Sequence, residues 1–290
     1  METANKSHSP MRILWREICS DKLALFSLFF FITVVTIVFI WAGLLDPRAV
    51  LRQDLRNTNI APNSEFWLGT DHAGRNVFNL LIVGARNSFI IAFTLAIASS
   101  LIGITVGLIA GFYAGTVDNI IMRIIDFLTM IPGLMLILTL IVILPDSVFN
   151  FGLILTILGW LGMARTIRMI TLQQGAMDYV KASKTLGTRN PVIIVREVVP
   201  NILSFMVVNL TLAIAGTMGV ETGLTFLGFG LPPDMPSLGT LIATAASPLN
   251  MQLRPWLWLP AALFVLVMML CINYVGQALN RAADARRRRV

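Results

Sequence analysis

Residues able to do chemistry are sparse in this chain, and none stands at a catalytic spacing. The two histidines, His8 and His72, are far apart, and no H-E-x-x-H pair or cluster with metal-ligand spacing occurs. No G-x-x-x-x-G-K-[ST] loop is present, so the chain has no phosphate cradle of its own for ATP. No G-x-S-x-G elbow offers a serine nucleophile. Cys19 lies in a basic N-terminal segment and Cys271 in an apolar run, which makes no disulfide framework. His72, in the segment GTDHAGRN, reads as an exposed loop side chain.

What remains is one loop with helix punctuation. In DYVKASKTLGTRNPVIIVREVVP, Asp178 can cap a helix, and Tyr179, Ala182 and Leu186 then share a face. Gly187 follows where a helix end favours a left-handed residue. Asn190-Pro191 reads as a cap with proline at the first helical position, and Pro200 kinks the second helix. A short helix of mixed apolar and basic side chains suits two roles. It can dock in a groove on a soluble partner, or rest on lipid headgroups. Either way its chemistry is recognition, not catalysis.

The elements that must position this loop are membrane spans. Of 290 residues, 56% are apolar and only 13% charged, and the mean hydropathy is +0.79. An ordinary soluble domain carries about 25% charged residues. So few charges cannot cover a soluble surface of this size, which excludes a soluble enzyme and a disordered chain. Six stretches without Asp, Glu, Lys or Arg approach the length of about 20 residues that a spanning helix needs: 23–45, 87–117, 127–145, 147–164, 198–220 and 255–280. The third and fourth read as a hairpin turning at Pro145-Asp146. Residues 221–254 carry Gly, Pro and polar side chains and read as a structured loop, partly re-entrant. The first run is too long for the core of a signal peptide, so none is expected.

Charge asymmetry sets the orientation. With the N-terminus inside, the inner segments hold 16 of the 22 Lys and Arg residues and the outer segments 6, so both termini are expected in the cytoplasm. The N-terminal tail, 1–22, places Met11, Leu14, Trp15 and Ile18 on one stripe and reads as an interfacial helix. Residues 23–280 form the membrane domain, with the loop 165–197 inside, and 281–290 form a basic tail. Trp160, Trp256 and Trp258 are placed near span ends, where aromatics favour the interface. Gly103, Gly107, Gly111 and Gly115 recur every four residues and would let another helix approach. The six runs contain no ionisable residue of the kind a proton- or sodium-coupled carrier uses, which argues against that class. Glu221, at the outer end of the fifth run, is the nearest exception.

The loop resembles the signature of permease subunits in binding-protein-dependent ABC importers, E-A-A, three residues, G, nine residues, I-x-L-P. Lys181-Ala182-Ser183 stands where E-A-A would, Gly187 and Pro200 keep the spacing, and Glu197 and Val199 replace Ile and Leu. FWLGTDHAGRNVFNLLIVGARNS, at 66–88, is similar to a block of the peptide/nickel permease subfamily, with Asn76 in place of the usual Asp. ETGLTFLGFGLPPDMPSLGTLIATA, at 221–245, is similar to a block of its C-type permease, with Leu238 in place of Trp. With IIDFLTMIPGLMLIL, the resemblance covers roughly residues 10–285. It implies an all-α polytopic membrane protein, a six-helix type I ABC importer permease, in a bacterial cell membrane. It implies import of short peptides, with nickel, a metallophore or another small solute as the alternative. The implied partners are a second related permease, two cytoplasmic ATPases carrying ATP and Mg, and an extracytoplasmic solute-binding protein. No cofactor or nucleic acid is expected on this chain, and no catalytic residue. The implied ATPase-coupling residues are Asp178, Tyr179, Ala182, Ser183, Leu186, Gly187 and Pro200.

Overall fold

A computed structural model of the chain describes residues 21–145, 147–232 and 234–287. The interfacial helix expected over 11–18 and the turn residue Asp146 lie outside these residues. The elements in order are α1 (Lys22–Leu44), α2 (Pro47–Leu51), α3 (Val77–Tyr113), α4 (Gly115–Met130), α5 (Gly133–Ile143), α6 (Val148–Gly175), α7 (Asp178–Thr185) and α8 (Asn190–Ile193). A π-helical turn at Ile194–Val198 leads into α9 (Val199–Phe226), then α10 (Leu238–Ala243), α11 (Pro248–Leu253) and α12 (Leu259–Arg287). Among the described residues five helices are long and apolar enough to cross a membrane. With α4 and α5 counted as one bent span, six cross. The end of the bundle that carries α7 is called the loop end below, and the other the far end.

The third span differs from the expectation. Residues 127–145 are not one helix: α4 and α5 meet at an angle of 81° across Ile131 and Pro132. Proline removes a backbone donor and drives the residue before it out of the helical region, and Ile131 accordingly has φ −81 and ψ 129. At 11 residues α5 is roughly 16 Å long, about half of the hydrocarbon core.

At the far end, two spans extend through charges that bounded the apolar runs. Helix α3 begins at Val77 rather than 87 and includes Arg86. Asn76 caps it, accepting from Phe78 N at 2.9 Å, so the replacement of Asp by Asn keeps the cap. Helix α9 continues past 220 to Phe226 and includes Glu221, which is fully buried. The hydroxyls of Thr222 and Thr225 donate to the Glu221 carboxylate at 3.1 and 3.4 Å. A buried carboxylate is tolerated when neighbouring donors satisfy it.

The glycine stripe divides in function. A Cβ on Gly103, Gly107 or Gly111 would lie 2.6 Å from Met163 Cβ, Ala164 O and Arg168 O respectively, so these three let α3 lie against the α6 backbone. Gly115 has φ +56 and no such neighbour; it starts α4. Trp160 packs against the cluster of Ile125, Leu161 and Ala164, in a helix that continues past it to Gly175. At the loop end Asp21 caps α1 and is gripped by Arg281 of α12. The Ala24 N–H holds the Asp21 carboxyl below the usual carboxylate range, against a smaller opposing effect of burial, with Leu23 N–H and Arg281 adding to the lowering.

The segment after α9 is ordered, as expected, by packing at the far end. Ser237 caps α10 in a capping box with Thr240. Leu238 N donates to Ser88 Oγ at 3.1 Å, and Asn87 Nδ2 donates to Pro236 O at 2.8 Å. Leu238 is fully buried in the core formed by α1, α3, α9 and α12.

Candidate functional site

Helix α7 hangs below the spans on a well-defined frame. Asp178 is its first residue and exposed, and Met177 occupies the cap position without a side-chain cap bond. The expected Asp178 cap is therefore displaced by one residue. The Asp178 side chain meets Lys181 Nζ at 3.3 Å instead. An acid in the first turn still complements the helix dipole. The second cap is displaced in the same way: Arg189 stands at the cap of α8, with Asn190 inside it.

The end of α7 is as the sequence implies. Gly187 has φ +79. Thr188 N donates to Ser183 O at 3.1 Å, and Gly187 N to Lys184 O at 3.0 Å. These are the two bonds of a Schellman end, which supply donors to otherwise orphaned carbonyls and turn the chain sharply.

One face of α7 points away from the molecule. Tyr179 is 36% exposed and Leu186 84%, and Ala182 between them is also exposed. The opposite face is anchored. Val180 is fully buried in a cluster with Phe112, Ile167, Ile193, Val198 and Ile202. Lys184 Nζ lies 4.5 Å from the Phe112 ring centroid, a cation–π contact. Tyr179 donates its hydroxyl to Gln174 Oε1 at 2.8 Å. Burial pushes the Tyr179 phenol above its ordinary pKa, with the Glu197 charge adding to it.

Ser183 points inward, and its Oγ donates to Glu197 Oε1 at 2.6 Å. Pro200 is the second residue of α9, directly after the π turn. Its missing N–H leaves Arg196 O without an α-helical donor, and the widened turn at Ile194–Val198 accommodates that. Six of the seven expected residues lie on this loop, and Pro200 lies at the start of α9. Val180, Lys184 and Glu197 join them. The spacing pattern did not single out these three, although Glu197 was visible as a carboxylate at an apolar position.

At the far end a cavity of 450 Å³ is lined by Asp71, His72, Arg75, Thr225, Phe229 and Leu241 among others. It joins the two other distinctive blocks of sequence. His72 is exposed, as expected. Asp71 is fully engaged in its own turn, accepting from Ala73 N, Arg75 N and Arg75 Nε at 2.7–2.9 Å.

The family described as binding-protein-dependent transport system inner membrane component matches residues 103–289, which include the whole loop. The chain belongs to that family. This permease is 40% identical over 273 residues to the oligopeptide transport system permease protein OppC of Lactococcus lactis subsp. lactis, covering 93% of this chain and 92% of that one. It is 34% identical over 275 residues to the dipeptide transport system permease protein DppC of Bacillus subtilis, covering 95% and 85%. A chain of the MetNI methionine ABC transporter, solved in inward-facing conformations, shares the permease fold with a TM-score of 0.57 at 18% identity, over 70% of this chain and 96% of that one. The all-α, multi-pass membrane fold expected from the sequence is borne out.

Proposed function

We propose that this permease is a translocation subunit of an ABC importer that carries short peptides inward, and that soluble ATPases drive it through α7. The observation that carries the reading is the geometry of α7. Its Tyr179, Ala182 and Leu186 face is exposed, while Val180 is buried among side chains of three spans. The names of the relatives, oligopeptide and dipeptide permeases, support peptides as the cargo. A second related permease completes the membrane unit. Two cytoplasmic ATPases bind ATP and Mg, and an extracytoplasmic binding protein delivers the peptide. The loop end then faces the cytoplasm and both termini lie inside, in a bacterial cell membrane, as the excess of Lys and Arg on that side supports.

This chain contributes conformational coupling rather than a chemical step. The ATPases bind the two states of the spans differently, and that difference shifts the population between inward and outward openings. Reconstitution of the full complex in proteoliposomes tests the reading. Labelled di- to pentapeptides should accumulate only with ATP, the ATPases and the binding protein present. Accumulation of nickel in place of peptide under the same conditions would overturn the assigned cargo.

A further inference from the structure

The two polar residues by which the inner face of this loop departs from the family pattern are bonded to each other. Ser183 stands at the second alanine position of the pattern, and Glu197 at its isoleucine position. They are 14 residues apart, and Ser183 Oγ donates to Glu197 Oε1 at 2.6 Å. Glu197 sits inside the π turn at Ile194–Val198, and its backbone oxygen accepts from Asn201 Nδ2 at 2.9 Å. Its other carboxylate oxygen, Oε2, is buried without a hydrogen-bond partner. An unpaired buried acceptor costs stability, so the fold alone does not favour a glutamate here.

The Tyr179 hydroxyl makes a second directional bond, to Gln174 Oε1 of α6 at 2.8 Å, but two other contacts of α7 are of a different kind. Val180 lies in an apolar cluster and Lys184 lies over a ring. Such contacts tolerate sliding, because apolar attraction has little direction. A short charge-assisted hydrogen bond is directional and fixes one register. A single π turn inside a helix is rare and is found frequently at functional sites.

We propose that Ser183 and Glu197 form a clasp that delivers displacement of α7 to the π turn at the base of α9. The inference rests on the coupling role proposed above and names the residues that transmit it within this chain. Both are positioning residues: they touch neither ATP nor cargo. A carboxylate has two equivalent acceptors, so the unfilled Oε2 lets Ser183 change oxygen as α7 moves without breaking the clasp.

The test measures peptide uptake, ATP hydrolysis and ATPase retention together, in the full complex reconstituted in proteoliposomes. Ser183→Ala and Glu197→Ala should keep the ATPases bound and still hydrolysing ATP, while peptide imported per ATP falls about five-fold or more. The double variant should be no worse than either single one, because both remove the same bond. Ser183→Thr and Glu197→Gln keep a donor and an acceptor and should recover most of the ratio. Wild-type ratios in both alanine variants would overturn the clasp. So would a loss of ATPase retention in proportion to uptake, which would make these docking residues, and so would a double variant that multiplies the single defects. A wild-type complex with no ATP-dependent peptide uptake would overturn the underlying function instead.

Discussion

Arg168 of α6 grips Asp118 of α4 with two arms of its guanidinium, Nε donating to Oδ1 at 2.6 Å and Nη2 to Oδ2. The Asp118 side chain is only 9% exposed and that of Arg168 29%. Asp118 lies four residues after the break at Ala114, where α3 ends and α4 begins. The ion pair therefore ties the start of the bent span to the straight span that leads into α7. A second pair, Arg165 with Asp126 at 2.6 Å, joins the same two helices but is about half exposed.

These two pairs should differ in their effect on stability. Asp118→Ala leaves a partly buried guanidinium without its partner and is expected to cost roughly 3 kcal/mol. Asp126→Ala breaks an exposed pair and is expected to change stability by less than about 1 kcal/mol. Thermal denaturation of the purified permease in detergent compares them. Equal shifts in Tm would remove the special role of the Asp118 pair.

Gly187→Val should impair transport without impairing insertion. A β-branched residue at φ +79 strains the backbone by roughly 1–2 kcal/mol, although open space surrounds the position. The Schellman turn that orients α7 is then disfavoured. Gly175 also has open space but no positive φ, so Gly175→Val is the control. We expect normal membrane abundance in both variants and a loss of uptake of about ten-fold in Gly187→Val alone. Near-wild-type uptake by Gly187→Val in an assembled complex would contradict the coupling role of the loop.

Gly107→Leu should separate α3 from α6. Its Cβ would lie 2.6 Å from a backbone oxygen, Ala164 O, which cannot rotate away as a side chain can. Overpacking of this kind costs about 1–3 kcal/mol or more. Gly162 has no neighbour within 4 Å, so Gly162→Leu should be far milder. Quantitative blotting of membrane fractions, with Tm in detergent, reads the difference. A stable Gly107→Leu protein would show that this helix pair is not close-packed.

Topology is tested with single cysteines in a background lacking Cys19 and Cys271. Ser64 and Gln252 are exposed at the far end and Lys181 on α7. A membrane-impermeant thiol reagent applied to intact cells should label Ser64→Cys and Gln252→Cys but not Lys181→Cys. Labelling of Lys181→Cys would invert the proposed orientation.

The end of α7 was legible in the sequence because it depends on backbone chemistry over a few residues. Gly187 needs only its own missing Cβ to favour a left-handed helix end, and it has one. The membrane spans were legible for a similar reason, since an apolar run long enough to cross lipid declares itself by composition. Their limits were less so. Arg86 and Glu221 ended two apolar runs on paper, yet α3 and α9 pass through both. Charge alone cannot show that Thr222 and Thr225, one and four residues along the same helix, serve the Glu221 carboxylate.

Tertiary structure decided whatever depends on a partner distant in sequence. Pro132 sits in plain view, but an X-Pro step can kink or end a helix, and only packing selected an 81° bend there. Three glycines of an even stripe of four face a neighbouring backbone and the fourth begins a new helix, a division that the spacing does not contain. Ser183 and Glu197 read as two separate departures from a pattern, and folding α7 back on the π turn brought them within hydrogen-bonding distance. The amino-acid order sets which stretches enter the membrane and where the loop helix stops, because solvation and backbone freedom are local properties. Which polar group meets which is settled only when the helices pack, because a buried donor or acceptor must find its partner in space.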